Sequence, residues 1–412
     1  MKKFSLLLLM SIIGTSIYAQ SNESLDLERA IQLGLENNLQ IKIAVETVTL
    51  REGDERISSG ELFMPRLDAT YARGFSKEDV EQKFLNDPEP RLINDAKSRN
   101  ENFSVGAIYG FRPESFVVMQ RLGQLTEISE LETKVVVENT VAGISSAYYR
   151  LVLELQRYEV LKNTLELSQS RLDIAQAQYE LGGAGKRDFL TAQVDYNSDL
   201  TLLLTQDQVI QNARVNLNEL MALDPNINFT VNDTILIGDP MYLMDLEENA
   251  FTDNKDLLIA QRSENVAFLQ MKELRMSRLP VLNLNGNYVN NTSNSDAGFL
   301  IQNQRQGFNG GGNITINLFN GLTLNRRIQN AKVQEKIQGY ATDQLEVQLK
   351  SDIHRSYNTY LTNKNLLEVE KRNYQTAKES TDIALERFRL GISGYLEFRD
   401  AQVNLLTAQN RL

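Results

Sequence analysis

The stretch Arg387-Phe-Arg-Leu-Gly-Ile-Ser-Gly-Tyr-Leu-Glu-Phe-Arg-Asp-Ala-Gln decides the fold, because it repeats an earlier part of the chain. Tyr179-Glu-Leu-Gly returns as Phe388-Arg-Leu-Gly, which is 388 − 179 = 209 residues later. Asp188-Phe-Leu-Thr-Ala-Gln-Val returns as Glu397-Phe-Arg-Asp-Ala-Gln-Val at the same spacing. Further upstream, Asn38-Leu-Gln-Ile-Lys-Ile-Ala matches Asn254-Lys-Asp-Leu-Leu-Ile-Ala, and Pro65 matches Pro280. Because the matches keep their order, they indicate an internal tandem duplication and not chance similarity between helices.

The duplication divides the chain into four segments. We predict a signal peptide at 1–19, a first repeat at 20–223, a linker at 224–241 and a second repeat at 242–412. The linker contains Asp224-Pro225-Asn226 and Gly238-Asp239-Pro240, which favour turns. After its copy of the Ala-Gln-Val motif, the second repeat is shorter than the first, so we expect its last helix to be truncated.

The first residues have the layout of a secretory signal. Lys2 and Lys3 precede the apolar run Phe4–Ile13, and a small residue, Ala19, precedes Gln20. This layout predicts export with cleavage between Ala19 and Gln20. An uncleaved membrane anchor is the alternative, but the apolar run is too short to span a bilayer easily.

Each repeat predicts a helix, a strand, a loop, a strand and two further helices. We place the helices at 39–63, 116–181 and 187–220, and at 255–278, 324–390 and from 395 onward. In the first repeat, apolar side chains recur at steps of three, four or seven, as in a coiled-coil seam: Tyr148, Leu151, Leu155, Tyr158, Leu161, Leu165, Leu172, Ala175 and Tyr179. The longest helix spans ~100 Å and its successor only ~50 Å. We therefore expect the two shorter helices to stack end to end along the long one, forming a rod.

Four segments alternate apolar and polar residues. They are Leu67–Tyr71, Phe103–Phe111, Leu282–Tyr288 and Asn313–Leu318. Such alternation is typical of outer-membrane barrel strands, although a soluble half-buried sheet has the same period. The polar segments between them, Ser76–Asn100 and Asn290–Gln306, predict loops. Four strands cannot close a barrel, so membrane strands here would need several protomers.

Composition excludes several kinds of site. The 412 residues include 43 basic and 54 acidic side chains, a net charge of −11, with no Cys and one His. The absence of Cys excludes disulfides, thiolate chemistry and a lipid anchor on Cys, and the acidic balance argues against nucleic-acid binding. His354 has no second ligand in view, and Gly182–Lys186 lacks the Ser or Thr and the preceding strand of a phosphate loop. We predict no enzymatic activity, cofactor or metal site.

Three motifs resemble those of the TolC family of outer-membrane efflux proteins. Arg387–Gln402 looks like the family's periplasmic tip turn, Leu318-Phe-Asn-Gly-Leu its strand-to-helix junction, and Leu279-Pro-Val-Leu its helix-to-strand passage. The resemblance covers essentially the whole mature chain, although Gly110-Phe-Arg-Pro departs from the junction motif in the first repeat. It implies a mixed α and β membrane protein with long coiled-coil hairpins and four transmembrane strands in each protomer. A homotrimer would then build one 12-stranded barrel.

The resemblance also implies a function. The protein would be a passive outer-membrane channel of a Gram-negative bacterium, extending into the periplasm as the exit duct of a tripartite efflux pump or type I secretion system. Its partners would be a periplasmic adaptor protein, an inner-membrane pump of the RND or ABC type, and outer-membrane lipid. The alternative is a non-conducting periplasmic coiled-coil adaptor or scaffold. An adaptor normally has one hairpin flanked by small β-domains, whereas this chain predicts two hairpins and four strands.

The resemblance places acidic residues at the periplasmic aperture. Glu397 and Asp400 match the family's positions, and Asp188 is the repeated counterpart of Glu397. Like charges converging on an axis repel one another, attract cations and favour partial protonation. The alternative is that these acids stabilise a helix N-terminus. Ser393 occupies a position where the family often has a basic residue that locks the closed state, so we expect a different lock.

The two tip turns are predicted docking surfaces for the adaptor, as the resemblance implies. The alternative is that each turn only joins two antiparallel helices. The predicted docking residues are Leu181, Gly182, Gly183 and Gly185 in the first turn, and Leu390, Gly391, Ser393 and Gly394 in the second.

Overall fold

The computed structural model describes residues 24–85, 87–183, 185–232, 235, 238 and 240–412. The predicted signal peptide, with its cleavage site at Ala19 and Gln20, lies outside these residues. The chain forms two compact units. One comprises the segments up to Ile41, Val136–Leu243 and His354–Leu412, and the other comprises Lys42–Val135 and Met244–Ile353. Each unit draws on both predicted repeats, and the boundaries of those repeats stay a prediction.

Helices dominate the described residues. They are α1 (Leu27–Asn37), α2 (Leu39–Phe63), α3 (Glu114–Glu180), α4 (Lys186–Leu220), α5 (Leu243–Asp253), α6 (Lys255–Met276), α7 (Thr323–Arg389) and α8 (Tyr395–Arg411). The long helices α3 and α7 have 67 residues each. The predicted positions of the six longer helices are confirmed, whereas α1 and α5 were not predicted. Within the described part of the chain, no helix is both long enough and apolar enough to cross a membrane.

An asparagine separates each short helix from the longer helix that follows it. The side chain of Asn38 accepts hydrogen bonds from the backbone N–H groups of Gln40 at 2.8 Å and Ile41 at 3.3 Å. Asn254 caps α6 in the same way, accepting from the backbone of Leu257 at 2.9 Å. Because an Asn side chain satisfies the free N–H groups of a helix start, each position begins a new helix.

The second unit contains a four-stranded antiparallel sheet with strand order β2-β3-β5-β6. Its strands are β2 (Arg66–Phe84), β3 (Asp87–Phe111), β5 (Val281–Ser295) and β6 (Gln302–Thr315). The first unit has a two-residue parallel pair, β1 (Ser24–Leu25) with β4 (Thr230–Val231). The register of the large sheet pairs Arg66 with Ile108 and Val281 with Thr315. Strands β2 and β6 therefore form the two edges of this sheet.

The prediction of loops at Ser76–Asn100 and Asn290–Gln306 was wrong. Ser76 pairs with Ser98 in the β2–β3 ladder, and Asn290 pairs with Gln306 in the β5–β6 ladder. Polar side chains stabilise this extension, since the two serine hydroxyls lie 2.8 Å apart. Ladder hydrogen bonds come from the backbone, so a polar strand pair satisfies them as well as an apolar one. The last predicted strand ends at Thr315, short of the predicted Leu318.

The core of the first unit holds α1 against α3 and α4. Ala30, Ile144, Leu217 and Met221 belong to one buried apolar cluster. A Cβ atom at Gly34 would lie 2.0 Å from Ile144 Cδ1, so a larger residue there would force the Ile144 side chain to move. The cluster fixes α1 on the helices that carry the site described next.

Candidate functional site at the helix turns

Two similar turns end the long helices of the first unit. After α3, Gly182 has φ of 78°, the N–H of Gly183 donates to the carbonyl of Gln178 at 2.8 Å, and that of Gly182 donates to Tyr179 at 3.1 Å. After α7, Gly391 has φ of 71° and the N–H of Ile392 donates to the carbonyl of Arg387 at 2.9 Å. This closure requires a left-handed residue after the helix, which glycine adopts without strain.

A pair of stacked aromatic rings braces each turn. The rings of Tyr179 and Phe189 lie 5.9 Å apart at an interplanar angle of 8°. Those of Phe388 and Phe398 have the same separation and angle. Phe398 is fully buried, whereas Tyr179 is 39% exposed. The two hairpins, α3–α4 and α7–α8, therefore share their turn geometry and their aromatic brace.

The eight predicted docking residues all lie on these two turns. Leu181 and Leu390 project into solvent, with 88% and 71% of their surface exposed. Ser393 is half-buried, and its hydroxyl has no hydrogen-bond partner. The remaining member of the first turn, Ala184, lies outside the described residues. Each turn thus presents an exposed leucine beside flexible glycine backbone.

The predicted aperture acids do not all meet. Glu397 and Asp400 line one open groove of about 550 Å³ between α7 and α8. Arg387 also lines it, and its Nε donates to Glu397 Oε1 at 3.1 Å, with both side chains about half exposed. Asp188 is exposed in the first turn of α4, on the other hairpin. The structure therefore brings together two of the three acids.

A buried ionic network, which was not predicted, ties α8 to the α3–α4 hairpin. Arg171 of α3 has no exposed surface. Its guanidinium donates to Asp195 Oδ2 at 2.9 Å and to Gln402 Oε1 at 3.1 Å. The same guanidinium lies 5.0 Å from the ring centroid of Tyr395, whose hydroxyl donates to Asp195. One arginine thus joins residues from three helices.

A second carboxylate extends this network. Asp199, which is buried, accepts hydrogen bonds from the Ser168 hydroxyl and from Arg399 Nη1, the latter at 3.4 Å. Gln402 Nε2 donates to Ser168 Oγ at 2.9 Å and to the carbonyl of Thr164 at 3.1 Å. Two cations and two anions therefore form one network, in which Arg171 and Asp199 are buried and Arg399 and Asp195 are partly exposed. The Nε of Arg171 is buried without a hydrogen-bond partner.

Burial lowers the pKa of the Arg171 guanidinium, an effect that the neighbouring Asp195 carboxylate partly offsets. Arginine stays protonated in proteins, so the charge is held inside the helix bundle by its carboxylate partners. The available sequence signal was Arg171 itself, a charged residue directly before Leu172 of the apolar stripe. Its counterpart in the second repeat is Ser380, an uncharged residue.

The described residues at the turns form no metal-binding cluster. Among the described residues, no group of three or more His, Asp or Glu side chains is arranged to hold a metal ion. His354 lies exposed on α7. The chemistry available at the turns is therefore that of exposed carboxylates, an ion pair and the buried network.

Known proteins share both sequence and fold with this chain. Residues 246–412 match the model of the outer membrane efflux protein family. The probable efflux pump outer membrane protein TtgC of Pseudomonas putida is 22% identical over 419 residues, covering 94% of this chain and 78% of TtgC. The CmeC outer membrane channel of Campylobacter jejuni is 16% identical, with a TM-score of 0.76 over 93% of this chain and 81% of CmeC.

A further solved structure extends the likeness. The outer membrane protein VceC of Vibrio cholerae is 16% identical, with a TM-score of 0.73 over 94% of this chain and 91% of VceC. These structures share the mixed fold of long helices and an antiparallel sheet, and the resemblance predicted from the sequence motifs is confirmed. The chain is therefore similar to the outer membrane efflux protein family, whose model matches its residues 246–412.

Proposed function

We propose that this protein is the outer-membrane channel of a tripartite efflux pump or type I secretion system. It conducts substrates passively from the periplasm to the outside, and the energy comes from the inner membrane. One observation carries the proposal: a chain whose residues 246–412 match the outer membrane efflux protein family has the fold of solved outer-membrane channels over more than nine-tenths of its length. Two further relatives from Pseudomonas putida are named as outer membrane proteins of an antibiotic efflux pump and of a toluene efflux pump, whereas the substrate of this chain is open.

The channel is a homotrimer in which three copies of the four-stranded sheet close one 12-stranded barrel in the lipid. The edge strands β2 and β6 have no further partner in the described sheet, and an open edge cannot face lipid. Its shortest strand has 14 residues, more than the ~9–11 that a tilted membrane strand requires. Leu67, Tyr71 and Ile314 expose apolar surface that lipid would cover.

The channel arose by internal duplication. Two observations support this step: α3 and α7 are equally long, and each of their turns carries the same stacked aromatic pair. The order of long helix, glycine turn and shorter helix also occurs twice. The predicted repeats at 20–223 and 242–412 account for all three features.

Glu397 and Asp400 form the acidic ring of the periplasmic aperture, with Asp188 on the adjacent hairpin. Three copies bring three of each acid towards one axis, where like charges favour cations over anions. The half-exposed Glu397 and the exposed Asp400 support this role. Glu397 and Asp188 lie in the first turns of α8 and α4, where a carboxylate stabilises a helix N-terminus, and this is the competing explanation for both acids.

The two turns dock a periplasmic adaptor protein, which links the channel to an inner-membrane pump of the RND or ABC type. The exposed Leu181 and Leu390 support this role, because each offers apolar surface whose burial against a partner is favourable. The non-conducting scaffold is the competing function and predicts docking without conductance.

Conductance across planar lipid bilayers tests the channel. We expect discrete openings, and we expect the double variant Glu397→Gln/Asp400→Asn to reduce the preference for cations over anions. The matched control is Glu386→Gln, because Glu386 is an exposed acid that pairs with Arg389 on α7. A protein without discrete openings, in both the parent and the double variant, would contradict the channel and favour the scaffold. Unchanged selectivity would contradict the acidic ring alone.

A further inference from the structure

One face of the four-stranded sheet carries an apolar band that ends in a row of aromatic rings. Directly paired residues project to the same face of a sheet, so the register assigns each side chain to a face. The row takes one ring from each strand: Tyr71, Phe103, Tyr288 and Phe308. Between this row and the strand ends that join helices, the pairs on this face are apolar, aromatic or glycine, from Leu67 with Ala107 to Leu282 with Ile314. In the proposed barrel this face contacts lipid, and the aromatic row lies at the outer interface.

Basic side chains lie on the same face just beyond the aromatic row, towards the hairpin turns. Three consecutive pairs on this face are Arg73 with Glu101, Phe75 with Arg99, and Lys77 with Lys97. All four cations are exposed. At the neighbouring positions, β5 and β6 carry only uncharged side chains: Thr292, Asn294, Gln302 and Gln304. The positive charge of this face is therefore concentrated on β2 and β3.

The acids around these cations already have partners. Glu101 Oε1 accepts from Arg73 Nε at 3.1 Å, and Asp95 Oδ1 lies 2.8 Å from Lys77 Nζ. Asp296 Oδ2 accepts from the backbone N–H of Lys97 at 3.2 Å. In the described part of the chain, no ion pair joins the side chain of Lys97 or Arg99 to a carboxylate. Two exposed cations are therefore available to an external anion.

The pairing of Lys77 with Lys97 is itself unfavourable, because like charges directly opposite each other destabilise a sheet. An anion bound between them removes this repulsion. Arg99 lies two residues from Lys97 on the same strand and face, about 7 Å along the strand. A phosphate group accepts several charge-assisted hydrogen bonds at once, so it suits these three cations, which we call the basic cluster.

The position of the basic cluster favours a phosphate that a lipid carries over a free one. Arg99 is four residues beyond Phe103 of the aromatic row, about 13 Å along the strand. The acyl chains of a lipid would cover the apolar band while its head group reached the cluster. Clusters of Lys and Arg next to a membrane surface bind anionic head groups in this way. Phe75, which is 89% exposed among the cations, adds apolar surface for the same lipid.

We propose that Lys77, Lys97 and Arg99 bind the phosphate of lipid A, the phosphorylated glycolipid of the outer leaflet. The inference rests on the proposed outer-membrane channel, for which it names the lipid that the outer rim of the sheet recognises.

Fluorescence anisotropy of labelled lipid A with the full chain in detergent tests the site. The variant Lys97→Gln/Arg99→Gln should weaken binding about 10- to 30-fold, because each cation near a membrane surface contributes a few-fold to several-fold. Arg99→Gln alone should weaken it about fivefold. The matched control is Arg305→Gln, because Arg305 is also an exposed arginine of the sheet but pairs with Asn291 on the opposite face. This control should leave the affinity unchanged.

Two further ligands identify the source of the phosphate. Dephosphorylated lipid A should bind the parent about as weakly as lipid A binds the double variant. Inorganic phosphate should displace no more lipid A than sodium chloride of the same ionic strength, which screens exposed charges without occupying the site.

The outcomes separate this inference from the proposed channel. Equal affinity of the parent and the double variant for lipid A, or of the parent for lipid A with and without phosphate, would overturn the site. Displacement by inorganic phosphate beyond the effect of salt would overturn its assignment to a lipid. A parent that shows discrete openings in planar bilayers but no phosphate-dependent binding of lipid A would overturn this inference alone. A parent that binds lipid A through its phosphate but shows no openings would uphold the lipid site and contradict the channel.

Discussion

Replacing Arg171 tests whether the buried network holds α8. In Arg171→Met, Asp195 loses its 2.9 Å ion pair and Gln402 Oε1 loses its 3.1 Å donor. Removing one partner of a buried pair costs about 3–5 kcal/mol. Asp195 is 21% exposed and Arg399 lies 3.8 Å away, so we expect the lower end of that range, about 3 kcal/mol.

Thermal unfolding in detergent, followed by circular dichroism at 222 nm, measures this loss. Unfolding entropy is about 2 cal/mol/K per residue, so about 3 kcal/mol lowers the Tm of the 412-residue chain by roughly 3 to 4 °C. The matched control is Arg387→Met, which removes an ion pair whose partners are both about half exposed. An exposed pair contributes less than about 1 kcal/mol, so the control should lower the Tm by under ~1 °C.

Equal Tm shifts for Arg171→Met and Arg387→Met would refute the reasoning, because the expected difference depends only on the burial of the two ion pairs. A double-mutant cycle with Asp195→Asn isolates the ion pair itself. We expect a coupling free energy of about 1–2 kcal/mol, within the range for residues of one network. Additive effects would show that Arg171 does not stabilise the structure through Asp195, which would leave its contacts with Gln402 and Tyr395.

Three further predictions concern single residues of the first unit and one matched glycine. Burial raises the pKa of Tyr148 above its ordinary value of 10.0, so parent stability should fall as pH rises above 10.0, and Tyr148→Phe should weaken that fall in urea titrations. Gly391→Ala should lower the free energy of unfolding by about 1 kcal/mol, because Gly391 has φ of 71°. Gly60→Ala, inside α2 with open space around it, should raise that free energy by about 0.5–1 kcal/mol in the same denaturation assay. Phe398→Ala should cost about 3–5 kcal/mol, since the ring is fully buried, and a loss below about 1 kcal/mol by calorimetry would contradict the aromatic brace.

Helices and turns were readable from the sequence because their signals are local. Apolar periodicity without proline determined α3 and α7 to within two residues, and glycine pairs marked the turns. The short helix α5 was not predicted. Asn254 caps the helix that follows it, and this signal marks the start of α6 without indicating that another helix precedes it. A capping residue between two consecutive helices can be recognised in the sequence only when a helix break is already expected at that position.

The extent of the sheet was not readable in the same way. Segment Ser76–Asn100 is polar, and a polar run between two strands has the composition of a loop. Its two strands are determined by their pairing with each other, as the 2.8 Å ion pair between Lys77 and Asp95 illustrates. Such pairing between strands cannot be read from the sequence of either strand alone. Likewise, the aperture acids were predicted by position, whereas the buried network needed the relative placement of three helices.

The main effect of the buried network is to favour the pairing of α8 with the α3–α4 hairpin over other pairings. Its net contribution to the free energy of unfolding is smaller. Replacing buried ions by apolar groups is often neutral or stabilising, whereas leaving one unpaired is costly. If α8 seated on the second hairpin of another copy, Arg399 would face Ala408 in place of Asp199, and Asp199 would lose its cation. In the proposed trimer, this penalty directs α8 to the α3–α4 hairpin of its own chain. A few charged positions on the α3–α4 hairpin thereby distinguish it from the α7–α8 hairpin as a partner for α8.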